Sequence, residues 1–340
     1  MVTGGTGFVG AHSVRALRQA GHEVTLLVRD PRRIGSNLGP LGDGVGGLDH
    51  VVGDMGDTAA VTRAMRGCDA VLHSAAMVTL ERRRAAEMLA ANPAGAKVVL
   101  DAAVDAGLDP IVYVSSTSAL FAPGIGRLHA DLPPTTATSA YGRSKAAAED
   151  HARRHQVDGA PVTITYPAGV VGPSAGTAAG EMAGAIALQL RTGLLPVADG
   201  AVSHVDVRDL AAVHAAVMEP GRGPRRFMCG GHHLTMSQLA GIYRRLTGRA
   251  FPVLPLPAVS LRGFGRVMDA VMRVTPVDSV LTAEAMTLLT RWVETDDRAI
   301  VEELGVALRP PEETLADAIL SLLADGAVTR RQAGRLADVT

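Results

Sequence analysis

Lysine, cysteine and aromatic residues are scarce in this 340-residue chain, in which only 3% of residues are aromatic. The two cysteines, Cys68 and Cys229, lie far apart and offer no disulfide framework, so we expect a reducing compartment, the cytoplasm. A net charge of -1 gives no broad positive field for nucleic acid. No apolar run has membrane-spanning length, and no charged leader precedes a hydrophobic signal core. With 47% hydrophobic and 20% charged residues, the composition is typical of a soluble globular protein with one large domain, or a domain and a cap.

The scarcity of lysine draws attention to one position. Of 33 basic residues only Lys97 and Lys145 are lysines, and Lys145 lies four residues after Tyr141 in a stretch predicted to be helical. Residues four apart share a helix face, so the phenol and the ammonium can enter one site. A free tyrosine titrates near ~10, and a neighbouring ammonium favours its ionised form. The pair therefore predicts proton-transfer chemistry, against the alternative of an exposed helix with an incidental lysine.

A glycine-rich loop opens the chain. Thr3 is followed by glycines at 4, 5, 7 and 10, then by a helical stretch that ends at Gly21 and a buried-strand pattern at 24–28. Glycines here permit a tight turn, close approach to a pyrophosphate and close packing of helix on sheet, while the helix start supplies N–H groups. This order predicts a dinucleotide-binding unit. Only Met1 and Val2 precede the loop, so we expect either a very short first strand or a true start several residues upstream.

Alternating elements follow the loop. Apolar runs at 24–28, 51–52, 70–72, 111–114 and 162–166 bracket alanine-rich helical stretches, which predicts a parallel sheet covered on both faces. Residues 35–50 are predicted to form a glycine-rich surface loop.

These motifs together resemble the extended short-chain dehydrogenase/reductase family, also called the NAD-dependent epimerase/dehydratase group, over about residues 1–325. The resemblance implies an α/β fold: a Rossmann-type, doubly wound parallel sheet with a smaller C-terminal substrate-binding cap. It assigns 1–173 to the NAD(P)-binding domain, with 203–230 returning to it. The cap would comprise 174–202 and 231–325, and 326–340 would form a polar tail.

The resemblance also implies site residues. The catalytic set would be Tyr141, Lys145, Thr117 and Asn92, with Ser116 as the alternative hydroxyl to Thr117 because neighbouring strand residues point to opposite faces. Pro93 follows Asn92 and predicts a broken or restarted helix there. The residues expected to bind cofactor are Gly4, Thr6, Gly7, Phe8, Val9, Gly10, Arg29, Asp54, Met55, Ser74, Ala75, Ala76, Tyr141, Lys145, Pro167 and Val170.

The residues after the second strand bear on the choice of cofactor. An acidic residue at that strand end selects the ribose diol of NAD, whereas basic residues accommodate the extra phosphate of NADP. Arg29 occupies this strand end, followed by Asp30, and an arginine fork suits a 2′-phosphate. We therefore expect NADP(H) to be favoured over NAD(H). Asp30 keeps the NAD alternative open.

Three functions follow from these expectations. The first is an NADP(H)-dependent reductase or dehydrogenase acting on a ketone or secondary alcohol, closest to the dihydroflavonol-reductase and 3β-hydroxysteroid-dehydrogenase branch because of Val28-Arg29-Asp30-Pro31. The second is an NAD-retaining nucleotide-sugar epimerase, and the third is a non-catalytic nucleotide-sensing protein on the same fold. The resemblance also implies a small-molecule substrate and a homodimer.

Two further segments suggest alternatives. Cys229, His232 and His233 could suggest a metal, but they lack further convergent ligands, and we predict no metal site. The segment 261–274 mixes apolar residues with arginines, which suits either a membrane surface or a cap helix lining an apolar pocket, and we expect the cap helix.

Overall fold

The computed structural model describes residues 1–42, 48–79, 82–135, 139–196, 200–254, 256–274 and 282–338. Its centre is a seven-stranded parallel sheet in the order β10-β6-β5-β4-β1-β2-β3. The strands of this sheet are β1 (Val2–Thr3), β2 (Thr25–Val28), β3 (Asp49–Val52), β4 (Val71–His73), β5 (Ile111–Val114), β6 (Val162–Pro167) and β10 (Arg225–Cys229). All five strands predicted from apolar runs are present. The first strand is very short, and β1 lies between β2 and β4.

Helices cover both faces of this sheet. On one face α3 (Thr58–Met65), α4 (Ala85–Asp105) and α5 (Ala140–Val157) pack on the strands, and their buried alanines and valines form one core with Tyr113 and Tyr166. On the other face α1 (Phe8–Gln19), α2 (Arg32–Leu38) and α7 (Val207–Ala216) form a second core. The doubly wound α/β fold predicted from the sequence is confirmed.

Two local predictions about this domain were wrong. The glycine-rich loop expected at 35–50 is helical at its start, because Ile34 and Leu38 are buried against the sheet and hold α2 in place, and its last residues belong to β3. Residues 43–47 of that loop lie outside the described part of the chain. The helix break expected at Pro93 is also absent: α4 is one continuous helix of 21 residues, and Pro93 lies inside it. Close packing of α4 on α5 outweighs the single backbone hydrogen bond that proline cannot make.

The cap contains two small sheets. β7 (Gly169–Val171) pairs in parallel with β9 (Ala201–Asp206), which pairs antiparallel with β11 (His232–Thr235), and β8 (Leu195–Pro196) pairs with β12 (Val253–Leu254). The further helices of the C-terminal half are α6 (Ala183–Thr192), α8 (Met236–Thr247), α9 (Ala258–Val274), α10 (Ala283–Arg291), α11 (Arg298–Glu302), α12 (Pro311–Ala324) and α13 (Arg330–Ala333). Of these, α11 packs on β10, with Ile300 in the second core of the large sheet. Of the segment expected to return to the main domain, α7 packs on α1 and β10 joins the large sheet, whereas β9 belongs to the small one.

The C-terminal residues pack into a third hydrophobic core. Val328, Ala333 and Ala337 are buried in the same core as α6, α8 and α12, so the polar tail expected at 326–340 is wrong for its described residues, 326–338. Alternating exposed arginines and buried small residues explain the misleading composition. Among the helices that the structure describes, none combines the length and the hydrophobicity needed to cross a bilayer. The division of the chain into domain and cap at the stated residues stays a prediction.

Candidate functional site

The glycine loop is built by close approach of backbone to backbone. Gly4 has a φ of 72°, and a side chain there would place its Cβ 2.7 Å from the Ala75 nitrogen. A methyl group on Gly10 would overlap the Gly4 carbonyl. Gly7 begins α1 without a side-chain cap, and no acidic residue occupies the first turn. The first N–H groups of α1 are thus directed at the loop, as an anion site requires.

Polar contacts fix the loop that follows β4 beside the glycine loop. The Thr3 hydroxyl lies 2.7 Å from His73 Nδ1 and accepts a hydrogen bond from the Ala75 N–H, while the Ser74 hydroxyl donates to the Thr3 carbonyl at 2.9 Å. Burial lowers the pKa of His73 to about 3, so the ring is neutral. Ser74, Ala75 and the neighbouring Ala76 therefore occupy a rigid edge next to the place where the resemblance puts the cofactor.

A buried asparagine closes the other side of the glycine loop. Asn37 donates from Nδ2 to the Thr6 carbonyl at 2.7 Å and accepts from the Thr177 hydroxyl at 2.7 Å. It is fully buried, and Gly176 lies against the Ser36 carbonyl so closely that no side chain fits there. Asn37 thus joins the loop, α2 and the segment after β7. Sequence reasoning did not identify it, because its partner Thr177 is 140 residues away.

Tyr141 and Lys145 do lie at one site, where α5 begins against the end of β5. Lys145 is buried and donates from Nζ to the Val114 carbonyl at 2.8 Å, with Nζ 5.4 Å from the centre of the Tyr113 ring. The Ser116 hydroxyl lies beside the Tyr141 phenol, whose pKa it lowers. Thr117 instead donates to the Pro167 carbonyl at 3.1 Å and is buried. Ser116 is therefore the hydroxyl that faces the phenol in this structure.

Burial shifts the pKa values of both Tyr141 and Lys145. Burial, reinforced by the nearby carboxylate of Glu181, raises the pKa of Tyr141, and the neighbouring Ser116 hydroxyl lowers it only in part. Burial also lowers the pKa of Lys145, to about 8. The phenol is thus protonated and the amine remains a cation at neutral pH. Lys145 is turned towards the Val114 carbonyl, so its role in ionising Tyr141 stays a prediction.

Asn92 acts as a connector between elements around this pair. Its Oδ1 accepts from the Met77 N–H at 2.7 Å, and its Nδ2 donates to the Met77 carbonyl at 2.9 Å and to the Ser144 hydroxyl at 3.0 Å. The side chain is buried and bound on every polar atom. Asn92 holds the loop after β4 against the first turn of α5, next to Lys145.

A buried ionic network anchors α5 one turn further along. Glu149 accepts from the hydroxyls of Ser115 and Tyr166, each at 2.7 Å, and from Arg153 Nε at 2.8 Å. Its side chain is fully buried, which raises its pKa. Four residues from Lys145, this network fixes the height of the helix on β5 and β6. The signal was present in the sequence as a carboxylate at i+4 from Lys145, yet a glutamate in a helix is so common that it carried no weight.

The far end of the site contains the groups expected to recognise the adenosine half of the cofactor. Arg29 is exposed at the end of β2 and pairs with no carboxylate among the described residues. Asp30 accepts from Arg32 Nε at one oxygen and from Arg32 Nη2 at the other, both at 2.9 Å. Asp54 is exposed after β3, where its carboxylate accepts from the Gly56 N–H, and Met55 packs against Gly95 of α4.

The remaining predicted contacts lie near the start of the cap. Phe8 lies edge-on to His12 and against Gly180, and Val170 lines the same small cleft. Pro167 ends β6, and Val9 is in the first turn of α1. The predicted residues that follow β1, β2, β3 and β4, together with Pro167, lie at the carboxyl ends of the central strands, the edge at which parallel α/β sheets bind ligands.

The suggested metal ligands do not converge. Cys229 is buried in β10, the His232 Nε2 lies 2.8 Å from the Arg309 carbonyl, and the His233 Nδ1 lies 3.0 Å from the Ser203 hydroxyl. Cys229 ends β10, whereas His232 and His233 follow the turn into β11, and the ring nitrogens of both histidines contact other groups. Both cysteines are free.

Comparison with known proteins identifies the family to which this geometry belongs. The sequence profile of the NAD dependent epimerase/dehydratase family matches residues 1–230. A Synechocystis sp. protein, "Putative dihydroflavonol 4-reductase", is 30% identical over 94% of this chain and 92% of its own length. Sterol demethylase protein B of Methylococcus capsulatus is 29% identical over 80% of this chain and 82% of its own length.

Solved structures agree. The crystal structure of gox2253 superposes with a TM-score of 0.78 at 26% identity, covering 96% of this chain and 98% of its own. A double mutant of DesIV, a dTDP-glucose 4,6-dehydratase from Streptomyces venezuelae with NAD and DAU bound, gives a TM-score of 0.71 at 26% identity, over 94% and 95% of the two chains. The resemblance expected from the sequence is confirmed.

Proposed function

Because this chain belongs to the NAD-dependent epimerase/dehydratase family, whose profile matches residues 1–230, we propose that it is an NADP(H)-dependent reductase. The reaction would be reduction of a ketone, or in reverse the oxidation of a secondary alcohol. One observation carries the proposal: Tyr141, with the Ser116 hydroxyl beside it, and Lys145, buried one helical turn away, share one site at the start of α5.

The residues fit a dinucleotide. The uncapped start of α1 and the glycine loop suit a pyrophosphate, and Lys145 and the edge formed by Ser74 and Ala75 suit the nicotinamide ribose and ring. Bound here, the nicotinamide would supply or accept a hydride at the carbon that bears the oxygen.

This chain's own residues would manage the proton. Tyr141, whose pKa is raised by burial, is a protonated donor to the substrate oxygen, and Ser116 orients the phenol and hydrogen-bonds the same oxygen. Lys145 contributes a buried positive charge that favours negative charge developing on that oxygen. Asn92 and Glu149 hold the helices that carry these groups. A neutral phenol suits proton donation, which favours the reductive direction.

The preference for NADP(H) rests on the end of β2. Both oxygens of Asp30 already accept hydrogen bonds from Arg32, which weakens the competition of this carboxylate for a ribose diol. Arg29 and Arg33 are exposed and can pair with a 2′-phosphate. The neighbours solved with NAD, among them the dehydratase above, are the reason to test NADH beside NADPH.

An NAD-retaining epimerase is the second candidate. A UDP-glucose 4-epimerase of Neisseria meningitidis is 32% identical to this chain, over 44% of it. Such an enzyme keeps its NAD through each cycle, whereas a reductase exchanges cofactor. The homodimer, the cytoplasmic location and an apolar substrate stay predictions.

The test is a cofactor and substrate screen with purified protein. We expect NADPH to bind reversibly and to be oxidised with one or more ketones from an aliphatic, alicyclic and sugar-nucleotide panel, and Tyr141→Phe to abolish turnover while NADPH still binds. NAD that copurifies and resists removal, together with sugar-nucleotide epimerisation, would replace the reductase by the epimerase. A folded protein that binds NADPH but turns over no ketone or alcohol of the panel, with or without Tyr141, would favour a nucleotide-sensing role.

A further inference from the structure

Three metal-binding side chains converge between α4 and α5, away from the site described above. The His151 Nε2 lies 2.6 Å and the His155 Nε2 lies 2.9 Å from the same oxygen, Oδ1 of Asp101, and the two Nε2 atoms lie 3.2 Å from each other. His151 is ten residues after Tyr141 on the same helix, which places the cluster about 15 Å further along α5. It therefore belongs neither to the proton-transfer pair nor to the glycine loop.

The local sequence explains the convergence. His151 and His155 are four residues apart on α5 and so share one face of the helix. Asp101 is on α4, which packs along α5, and its carboxylate is opposite both imidazoles. The rings meet edge to face with centres 4.8 Å apart, so both Nε2 atoms point to one position.

The spacing suits one divalent cation. In a tetrahedral zinc site with ligands at about 2.0–2.1 Å from the metal, ligand atoms lie about 3.3 Å from one another. To reach that spacing, the observed separations of 2.6, 2.9 and 3.2 Å would lengthen by about 0.7, 0.4 and 0.1 Å, which small rotations of the three side chains supply. Two imidazole nitrogens and one carboxylate oxygen are a ligand set that zinc uses, with a fourth position left for water. The three side chains are 14%, 17% and 34% exposed, so that position can reach solvent.

Without a metal, two ring nitrogens share one acceptor, Oδ1 of Asp101. Two neutral rings that both donate to one oxygen bring their N–H groups close together, since the nitrogens are only 3.2 Å apart. A cation replaces both protons and binds all three atoms at once. The positive neighbours are exposed and can move: Lys97 holds the other oxygen of Asp101 at 2.6 Å, and the Arg154 Nη2 lies 3.2 Å from the His151 Nδ1. For zinc to bind, that Nδ1 must carry the proton, and the Arg154 side chain must turn away.

We propose that Asp101, His151 and His155 bind one Zn²⁺, which clamps α4 to α5. The clamp links the helix that carries Asn92 to the helix that carries Tyr141 and Lys145. Its effect is on stability and on the relative position of these helices, and it is independent of which reaction the site performs.

The experiment titrates ZnCl₂ into chelator-treated full-length protein by calorimetry, with Co²⁺ as the spectroscopic probe in a second titration. We expect one tightly bound Zn²⁺ per chain, a rise in Tm on its addition, and a visible Co²⁺ spectrum of tetrahedral intensity. His151→Gln and His155→Gln should each weaken Zn²⁺ binding by about tenfold or more, because losing a ligand costs at least as much as losing an outer-shell partner. The matched control is His22→Gln, an exposed histidine, which should leave binding unchanged.

Two results would overturn the proposal. One is Zn²⁺ binding by the unaltered protein that is no tighter than binding by the double variant His151→Gln/His155→Gln. The other, which does not depend on the variants folding, is an octahedral, weak Co²⁺ spectrum or no Tm rise in the unaltered protein.

Discussion

Arg32 binds both carboxylate oxygens of Asp30, at 2.9 Å each, directly after the strand whose end carries the exposed Arg29. The acidic residue that could bind a ribose diol is thus occupied by an arginine from its own turn. Under the proposed function, we expect this arrangement to favour NADPH over NADH.

We expect Arg29→Ala to weaken NADPH binding by roughly 10- to 100-fold. This fold-change corresponds to the loss of a hydrogen bond to a charged group, which contributes about 1.5–3 kcal/mol. NADH binding should change little, since it lacks the phosphate. Fluorescence titration of both cofactors measures this. Arg66→Ala, an exposed arginine after α3, is the control and should bind both cofactors as the unaltered protein does. Equal loss of NADPH and NADH in Arg29→Ala would contradict the assignment.

A related variant tests Asp30 itself. Arg32→Ala frees the carboxylate, so we expect NADH binding to strengthen relative to NADPH, by several-fold. Unchanged relative affinities, measured by the same titration, would show that Asp30 does not face the ribose.

The catalytic hydroxyl can be identified by comparing neighbours. Ser116→Ala removes the hydroxyl beside Tyr141 and should lower kcat by roughly 10²–10³, as for loss of one donor to a developing oxyanion. Thr117→Val removes a hydrogen bond to the Pro167 carbonyl, which should cost about 1 kcal/mol of stability and leave kcat within several-fold. Steady-state kinetics with the ketone found in the screen, and urea unfolding, separate the two effects. If Thr117→Val lowered kcat more than Ser116→Ala did, Thr117 would be the catalytic hydroxyl.

The glycine loop offers a matched pair of substitutions. Gly10→Ala forces a methyl group into the Gly4 carbonyl and should abolish cofactor binding or unfold the protein. Gly35→Ala, in α2 with open space around the position, should be neutral or stabilising by up to about 1 kcal/mol. Thermal unfolding with and without NADPH measures both. Gly10→Ala protein that is stabilised by NADPH as strongly as the unaltered protein would contradict the packing described.

Stability should fall at mildly acidic pH. Burial lowers the pKa of His214 to about 3, from an ordinary value near 6.5. The folded ring stays neutral while the unfolded one takes up a proton, so stability is complete above about pH 6.5 and is lost as pH falls towards 3, by up to about 1.4 kcal/mol per pH unit. Urea unfolding at pH 7.0 and 5.5 should therefore show a smaller loss in His214→Gln than in the unaltered protein. His22→Gln, exposed, is the control, and equal losses in all three would contradict the prediction.

The sequence predicted what is local or periodic. Alternating apolar runs placed five strands correctly, and the spacing of Tyr141 and Lys145 placed both at the start of α5. It could not choose between Ser116 and Thr117, because a short 3₁₀ turn, with Ser116 accepting from the Ser118 N–H, decides which hydroxyl faces the phenol. Two contacts join distant segments of the chain, and no periodic pattern in the sequence predicts them: Asn37 with Thr177, and Asp101 with His151.

The buried C-terminal segment has a consequence for synthesis on the ribosome. All seven strands of the large sheet lie within the first 229 residues, so that sheet can assemble while the rest of the chain is still being made. The cap core cannot, because Val328, Ala333 and Ala337 fill it last. After the large sheet has assembled and before residues 328–337 are made, the nascent protein exposes the apolar faces of α6 and α8. A chaperone would bind these faces during that interval.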